Sequence, residues 1–311
     1  MLTILSVTLP IFILIGVGYA GVRFGLLSKA DSQVVGRFVL YFGFPALIYN
    51  ALSRRQIGEI FDTPFLLAYL FGSLAVFAFG LFLALGPLRR RLPTAAVVPL
   101  GMALPNSGFV AYSILLQMFP DEAGVFLALA LLVENVIMIP FFTAIAESTG
   151  GKDARFVAIF GNALRGLVRS PMIWGIVFGL AGSLLQLQLP VPVQRSVDML
   201  AGAAGAGALI AIGGALFGLK LTGLGPTLLA IAAGKLLVHP ALVFLFTLVF
   251  PPTNPHNFAA AMIIAASPMF SIYPIFGQRY GAGELSAAAL LLTTILSFFT
   301  LTATIALVGP L

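Results

Sequence analysis

The chain has no cysteine, two histidines and one tryptophan, and only 16 Lys or Arg and 10 Asp or Glu among its 311 residues. Without a thiol there can be no disulfide, thiolate nucleophile or cysteine-ligated metal. His239 and His256 alone are too few for a histidine metal centre, and no paired aspartates or histidine cluster offers a catalytic set inside an apolar segment. The shortage of charge excludes most. A soluble domain is about 25% charged, whereas this chain is 8% charged and 60% hydrophobic, with a mean hydropathy of +1.10. Such a composition belongs to a polytopic α-helical membrane protein. The net charge of +6 resides in short loops, where it reports topology rather than a nucleic-acid partner.

A membrane span needs about 20 apolar residues. On that criterion the sequence predicts ten spans, at 2–22, 33–53, 64–85, 94–118 and 122–146, then 171–189, 193–219, 226–250, 257–280 and 284–308. The first lacks a basic stretch ahead of its apolar run and is long enough to cross, so it reads as a span rather than a cleavable leader. Residues 1–146 and 171–311 form two five-span halves. Between them, residues 147–170 carry Lys152, Arg155, Arg165 and Arg169 around apolar residues, the pattern of an amphipathic segment on the membrane surface. Loops after odd-numbered spans hold most of the basic residues, including Arg89, Arg90 and Arg91. Those after even-numbered spans hold Arg54, Arg55 and Arg195 beside five acids. The positive-inside rule places the odd set in the cytoplasm and both termini on the far side of a cell membrane, a bacterial inner membrane being expected.

The fourth span is interrupted by Leu104-Pro105-Asn106-Ser107-Gly108. Proline removes a backbone donor and glycine loosens the following turn. Broken backbone at membrane depth is tolerated only inside protein or beside a wet cavity. Sliding the chain by 163 residues places Pro105 on Pro268, Asp121 on Glu284 and Gly16 on Gly179. The second break, Ser267-Pro268-Met269-Phe270-Ser271 followed by Pro274, thus occupies the equivalent point of the ninth span. Five spans per half is an odd number, so the second half is inverted relative to the first. Inverted repeats that each hold a broken helix are a layout of secondary transporters, with half-helix N-termini facing an anionic ligand.

Leu104-Pro105-Asn106 resembles the crossover motif of the auxin efflux carrier family, which includes bacterial malonate and malate permeases. Pro268, Pro274, Phe276 and Tyr280 resemble that family's ninth helix, Phe38, Phe42, Pro45 and Leu47 its second, and Gly234-Lys235 with Pro240-Ala241 its eighth. The resemblance covers nearly the whole chain. It implies an all-α fold of ten transmembrane helices in two inverted five-helix repeats, with broken crossing helices 4 and 9 as in sodium–bile acid symporters. Helices 1, 2, 6 and 7 would be a scaffold and the rest a transport domain. The resemblance also implies that Asn106 contacts a substrate carboxylate. The long central loop of the plant carriers is missing, and regulation through it does not carry over.

Substrate contacts are therefore expected from Pro105, Asn106, Ser107, Pro268, Met269 and Ser271. Asn106 offers two donors and an acceptor, and it can equally cap the second half-helix. Glu134 is the one acid at the centre of a span and Lys235 the one base. An ionisable residue there costs at least ~2.5–3.5 kcal/mol on insertion scales. Glu134 could carry a proton, help to hold a cation, or neutralise Lys235, which could alternatively attract the anion. His239, one turn after Lys235, is hydrogen-bonded structure or a relay. Asn135 should turn about 100° away from Glu134 on a regular helix. The sequence-based reading is a secondary carrier for a small organic anion, proton-linked, with a sodium-coupled organic-acid symporter as its alternative. Expected partners are the anion, a coupling proton or sodium ion, the lipid bilayer and a second copy in a homodimer. No cofactor, metal or nucleic acid is expected.

Overall fold

A computed structural model describes residues 2–147, 161, 165–221 and 225–308. Among them the chain is helical throughout: α1 (Leu2–Arg23), α2 (Lys29–Ser53), α3 (Thr63–Leu85), α4 (Thr94–Ala103), α5 (Ser107–Met118), α6 (Ala123–Glu147), α7 (Pro171–Leu185), α8 (Val191–Leu216), α9 (Pro226–Val249), α10 (Pro255–Ala266), α11 (Tyr273–Arg279) and α12 (Gly283–Val308). Seven helical segments are long and apolar enough to cross a membrane: α1, α2, α3 with the turn before it, α6, α8, α9 and α12. The helices α4, α5, α7 and α10 are apolar but shorter.

The helix starts follow local chemistry. Asp62 caps α3 by accepting from the Phe65 amide at 2.9 Å, and Asn254 caps α10 through the Asn257 amide at 2.9 Å. Proline stands in the first turn of α3, α7, α8, α9, α10 and α11, where its missing N–H has no helical partner to lose. Four helices carry a π turn: Val39–Gly43 in α2, Ser107–Ala111 at the start of α5, Leu132–Met138 in α6 and Gly234–Val238 in α9. Such insertions shift the facing of side chains and recur at functional sites.

The predicted fourth span is two helices, α4 and α5, separated by Leu104–Asn106; the predicted ninth is α10 and α11, separated by residues 267–272. The sixth is short, ending at Leu185, where Gln186 adopts a left-handed conformation and closes the helix. Most of the expected surface segment at 147–170 lies outside the described residues, Lys152 and Arg155 included.

Two groups of helices pack internally. In the first, α1 lies against α8 and α2 against α7, with α8 also against α2. In the second, α3 joins α9 and α4, α6 joins α4 and α5, α10 joins α9 and α12, and α11 joins α12. The first group is held by close backbone approach. A Cβ at Gly213 would stand 1.9 Å from the Ile15 carbonyl oxygen, and one at Gly18 2.2 Å from that of Ile210. Gly175, Gly179 and Gly182 do the same for α7 against Pro45, Leu52 and Ser53 of α2. This small-residue contact is how helices associate where lipid removes the hydrophobic drive between them. Of the α8 glycines, Gly207, Gly213 and Gly214 serve it, whereas nothing lies within 4 Å of a Cβ at Gly202.

These contacts give opposite expectations for one chemical change in one helix. Gly213→Ala forces α1 from α8 and should destabilise by about 1–3 kcal/mol, the range for overpacking. Gly202→Ala should leave the protein as stable or raise it by up to ~1 kcal/mol through helix propensity. Thermal unfolding of the two variants in detergent checks both.

Candidate functional site

The two interruptions meet. Pro105 and Met269 form an isolated antiparallel bridge, in which the Asn106 amide donates to the Pro268 carbonyl at 2.7 Å and the Phe270 amide to the Leu104 carbonyl at 3.2 Å. Backbone that each proline frees from its own helix is thus satisfied by the other break. The crossing is packed from α4 as well: the Tyr273 hydroxyl donates to the Val97 carbonyl at 2.9 Å. Gly101 leaves the space that ring needs, since a Cβ there would stand 2.6 Å from it.

Asn106 is 5% exposed and makes two side-chain bonds at the crossing. Its Oδ1 accepts from the Phe109 amide at 3.3 Å, which caps α5, and its Nδ2 donates to Ser271 Oγ at 2.8 Å, which ties the cap to the other break. Ser107, Gly108 and Phe109 follow. As first residues of a helix, Ser107 and Gly108 have no carbonyl within it for their amides.

Glu134, on the π turn of α6, is 6% exposed. One of its oxygens accepts from Tyr69 OH at 2.7 Å and also from Ser107 Oγ. Lys235, on the π turn of α9, is fully buried. Its Nζ donates to the Ala265 carbonyl at 2.7 Å and lies 2.8 Å from His239 Nδ1, while His239 Nε2 lies 3.0 Å from Ser73 Oγ. The three ion pairs among the described residues are Arg54–Asp198, His256–Glu122 and Arg279–Glu147. Glu134 and Lys235 are therefore not in direct contact. Each has its own partners: Glu134 has Tyr69 and Ser107, and Lys235 has the Ala265 carbonyl and His239, which in turn contacts Ser73, one turn after Tyr69 on α3.

A cavity of about 170 Å³ opens beside the crossing. Its polar lining is Asn106, Ser107, Glu134, Asn135 and Ser271, and its apolar walls include Leu40 and Phe44 of α2, Met172 of α7, and Phe109 and Phe270. It thus lies between the two helix groups. Hollows of about 490 and 500 Å³ lie at the opposite end of the molecule, against Arg55, Pro120 and Asp121. Those are larger, but loop residues form much of their lining. The cavity at the crossing is the better site because polar groups from α5, α6 and the second break converge on it, and because its size, below the ~300–1,000 Å³ of drug-sized pockets, suits a small molecule.

The expected substrate residues divide. Pro105, Asn106, Ser107 and Ser271 line the cavity, whereas Pro268 and Met269 do not. They contribute backbone to the bridge, and Met269 is fully buried. Glu134 and Asn135, neighbours on the π turn of α6, both line the cavity, the first buried and the second half-buried. Lys235 and His239 stand behind it. Tyr69 and Ser73 were not singled out by sequence, although a tyrosine and a serine spaced i, i+4 within an apolar run are a detectable polar stripe. Asn50, Arg54 and Gln194 all bond Asp198 and join α2 to α8 at the far end.

A family profile described as "Membrane transport protein" matches residues 3–305. The chain belongs to this family, that of the auxin efflux carriers. Among curated proteins it is 29% identical to the "Putative malonate transporter" of Rhizobium meliloti (strain 1021), over 97% of this chain and 95% of that one. It is 24% identical to the "Uncharacterized transporter YfdV" of Escherichia coli (strain K12), over 66% of each. A further match, at 24%, is the "Lysosomal cholesterol signaling protein" of Mus musculus, covering 72% of this chain and 27% of that protein. The chain is a membrane transporter by family, and the first two of these relatives are named as transporters.

The network around Glu134 carries a stability expectation. Tyr69→Phe deletes one of the two hydroxyls on a buried carboxyl and should cost about 1.5–3 kcal/mol, as for hydrogen bonds to charged groups. Ser297→Ala removes a buried hydroxyl that bonds only its own helix, at Thr294, and should change little. Chemical or thermal unfolding of both variants tests the contrast.

Proposed function

We propose that the protein is a secondary carrier for a small organic anion, a carboxylate, working by alternating access. The observation that carries this is the cavity at the crossing. There the amide-bearing start of α5, the Asn106 amide and the Ser271 hydroxyl line one small space between two separately packed helix groups. A helix N-terminus holds negative charge without a fixed cation, and no basic side chain lines the cavity among the described residues. In this reading α4 with α5, and α10 with α11, each make one broken crossing. The chain then has ten crossings in two inverted halves, 1–146 and 171–311, joined by 147–170. The contact pairs support it. α1 with α8 and α2 with α7 exchange under such a repeat, as do α3 with α4 and α9 with α10. Group one (α1, α2, α7, α8) is the scaffold and group two the moving domain. The cavity lining includes Met172 and Ile139, on the helices that flank the 147–170 connection. In this reading the charge count puts that connection in the cytoplasm and both termini outside.

Glu134 links the anion to a proton. A carboxylate anion about 4 Å from an ionised Glu134 would be repelled by ~4 kcal/mol at an effective dielectric of 20. The anion therefore favours protonated Glu134, and binding one favours the other. Organic-anion affinity should tighten as pH falls through the range where Glu134 takes up its proton, at pH values where the ligand itself stays ionised. Glu134→Gln fixes the neutral form and should bind at low-pH strength with no pH dependence. Affinity that is flat with pH in the unmodified protein would remove the proton link.

The carrier reading is tested by thermal stabilisation of the detergent-purified protein with dicarboxylates, short monocarboxylates and aromatic acids. At least one should raise the melting temperature in a saturable way, and Asn106→Ala should weaken that ligand's affinity at least tenfold while the protein remains folded. If no organic anion in the panel stabilises the protein, the reading fails. If Asn106→Ala keeps full affinity, Asn106 is only a cap.

A further inference from the structure

The substrate cavity does not use Lys235, and Glu134 does not pair with it, yet this side chain is fully buried and held at two points. Its position explains it. Ala265 is the penultimate residue of α10, so its carbonyl is one of those at the helix end that have no amide partner within the helix. The end of α10 also presents the negative pole of the helix toward the break. Carbonyls at such half-helix ends are where sodium-coupled carriers hold their ion. Here the position is filled from within. The π turn Gly234–Val238 swings Lys235 inward, its Nζ donates to the Ala265 carbonyl, and His239 Nδ1 takes up a second contact at 2.8 Å. His239 is fixed in turn by Ser73.

We propose that the ammonium of Lys235 stands in for a coupling metal cation at the end of α10. The protein then carries its cation as part of its own chain and binds no sodium there. Three features of the geometry fit a tethered cation. The head group meets a helix C-terminus rather than a carboxylate. It is sealed from the cavity, so an incoming anion does not compete for it. It also spans α9 and α10, so those helices would move with their charge already neutralised. For transport, the consequence is independence of sodium, and that consequence alone rests on the carrier reading.

Stability tests the placement without any substrate. The unmodified protein should melt at the same temperature in sodium, lithium or choline chloride at equal concentration. Lys235→Ala empties the position and should melt lower in choline, with sodium or lithium recovering at least half of the loss. Lys235→Met fills the position without charge and should be indifferent to the cation. Saturable sodium stabilisation of the unmodified protein would overturn the proposal. So would a folded Lys235→Ala that melts alike in all three salts, or one that folds in none of them. Failure of every organic anion to bind would sink the carrier reading and leave this placement standing.

Discussion

Broken backbone in an apolar medium must find partners, and the bridge between Pro105 and Met269 is where this protein meets that demand. None of α4, α5, α10 or α11 is long enough to stand as a full crossing by itself. Each ends at the centre of the molecule with amides or carbonyls that lipid could not satisfy. The Asn106 and Phe270 amides answer the Pro268 and Leu104 carbonyls. The Asn106 side chain then takes one further amide of α5 and, through Ser271, fastens the second break to the first. The helices around the crossing follow from this pairing. Tyr273 reaches back to Val97 of α4, and Gly101 has no side chain to obstruct it. A substitution that separated the two breaks would expose polar backbone on both sides at once.

Much of this was written in residue types. Prolines within apolar runs marked both breaks, and the 163-residue offset between Pro105 and Pro268 tied them together. The span edges fall within a few residues of expectation because proline, aspartate and asparagine declare helix starts. The π turns were not readable, since no residue type encodes one extra residue in a helical turn. That omission had consequences at Asn135, which helical geometry turned away from Glu134 and which nonetheless lines the same cavity. It also misdirected the search for a partner to Glu134. Sequence offered Lys235 as the one base at membrane depth, while the carboxyl is met by hydroxyls of Tyr69 and Ser107. Pro268 and Met269 were expected at the substrate because they sit in the break. Their backbone is engaged in the bridge instead, and they are left behind the cavity wall.

In the proposed repeat the two halves differ in their chemistry. At the 163-residue offset Asn106 corresponds to Met269 and Glu134 to Ser297, and at the neighbouring offset of 162 Ser73 corresponds to Lys235. The first half therefore supplies the amide and the acid, and the second supplies the base. Ser297 shows what the Glu134 position becomes when it has no task at the cavity: its hydroxyl turns back onto its own helix at Thr294. Glu134 and Lys235 each have their own polar partners, Glu134 directly on α3 at Tyr69 and Lys235 through His239, which contacts Ser73.

The distribution of hydrogen bonds suggests where movement is easiest. Within the second group, side-chain bonds tie α3 to α6 through Tyr69, α3 to α9 through Ser73, and α9 to α10 through Lys235. Those helices have directional contacts that sliding would break. Within the first group, glycines place backbone against backbone, a contact equally intolerant of displacement. Between the groups the joins are uneven. A Cβ at Gly124 of α6 would stand 2.4 Å from the Ala51 Cβ of α2, and one at Gly108 of α5 2.8 Å from the Phe44 ring, as close as any contact between α2 and α7. Elsewhere the end of α5 meets α8 near Gly205, whose absent Cβ would have only van der Waals neighbours at 3.8 Å and beyond. The bonds that cross include Gln117 to the Val7 carbonyl and Arg55 to the Asp121 carbonyl, at 3.0 Å each, the latter exposed. Such bonds can be exchanged for water or re-formed one turn away at small cost. The boundary also contains the cavity, with α2 and α7 on one side and the crossing on the other. In the proposed alternating-access cycle, a bound anion would face a different end of the scaffold after each displacement while keeping the contacts it makes to α5.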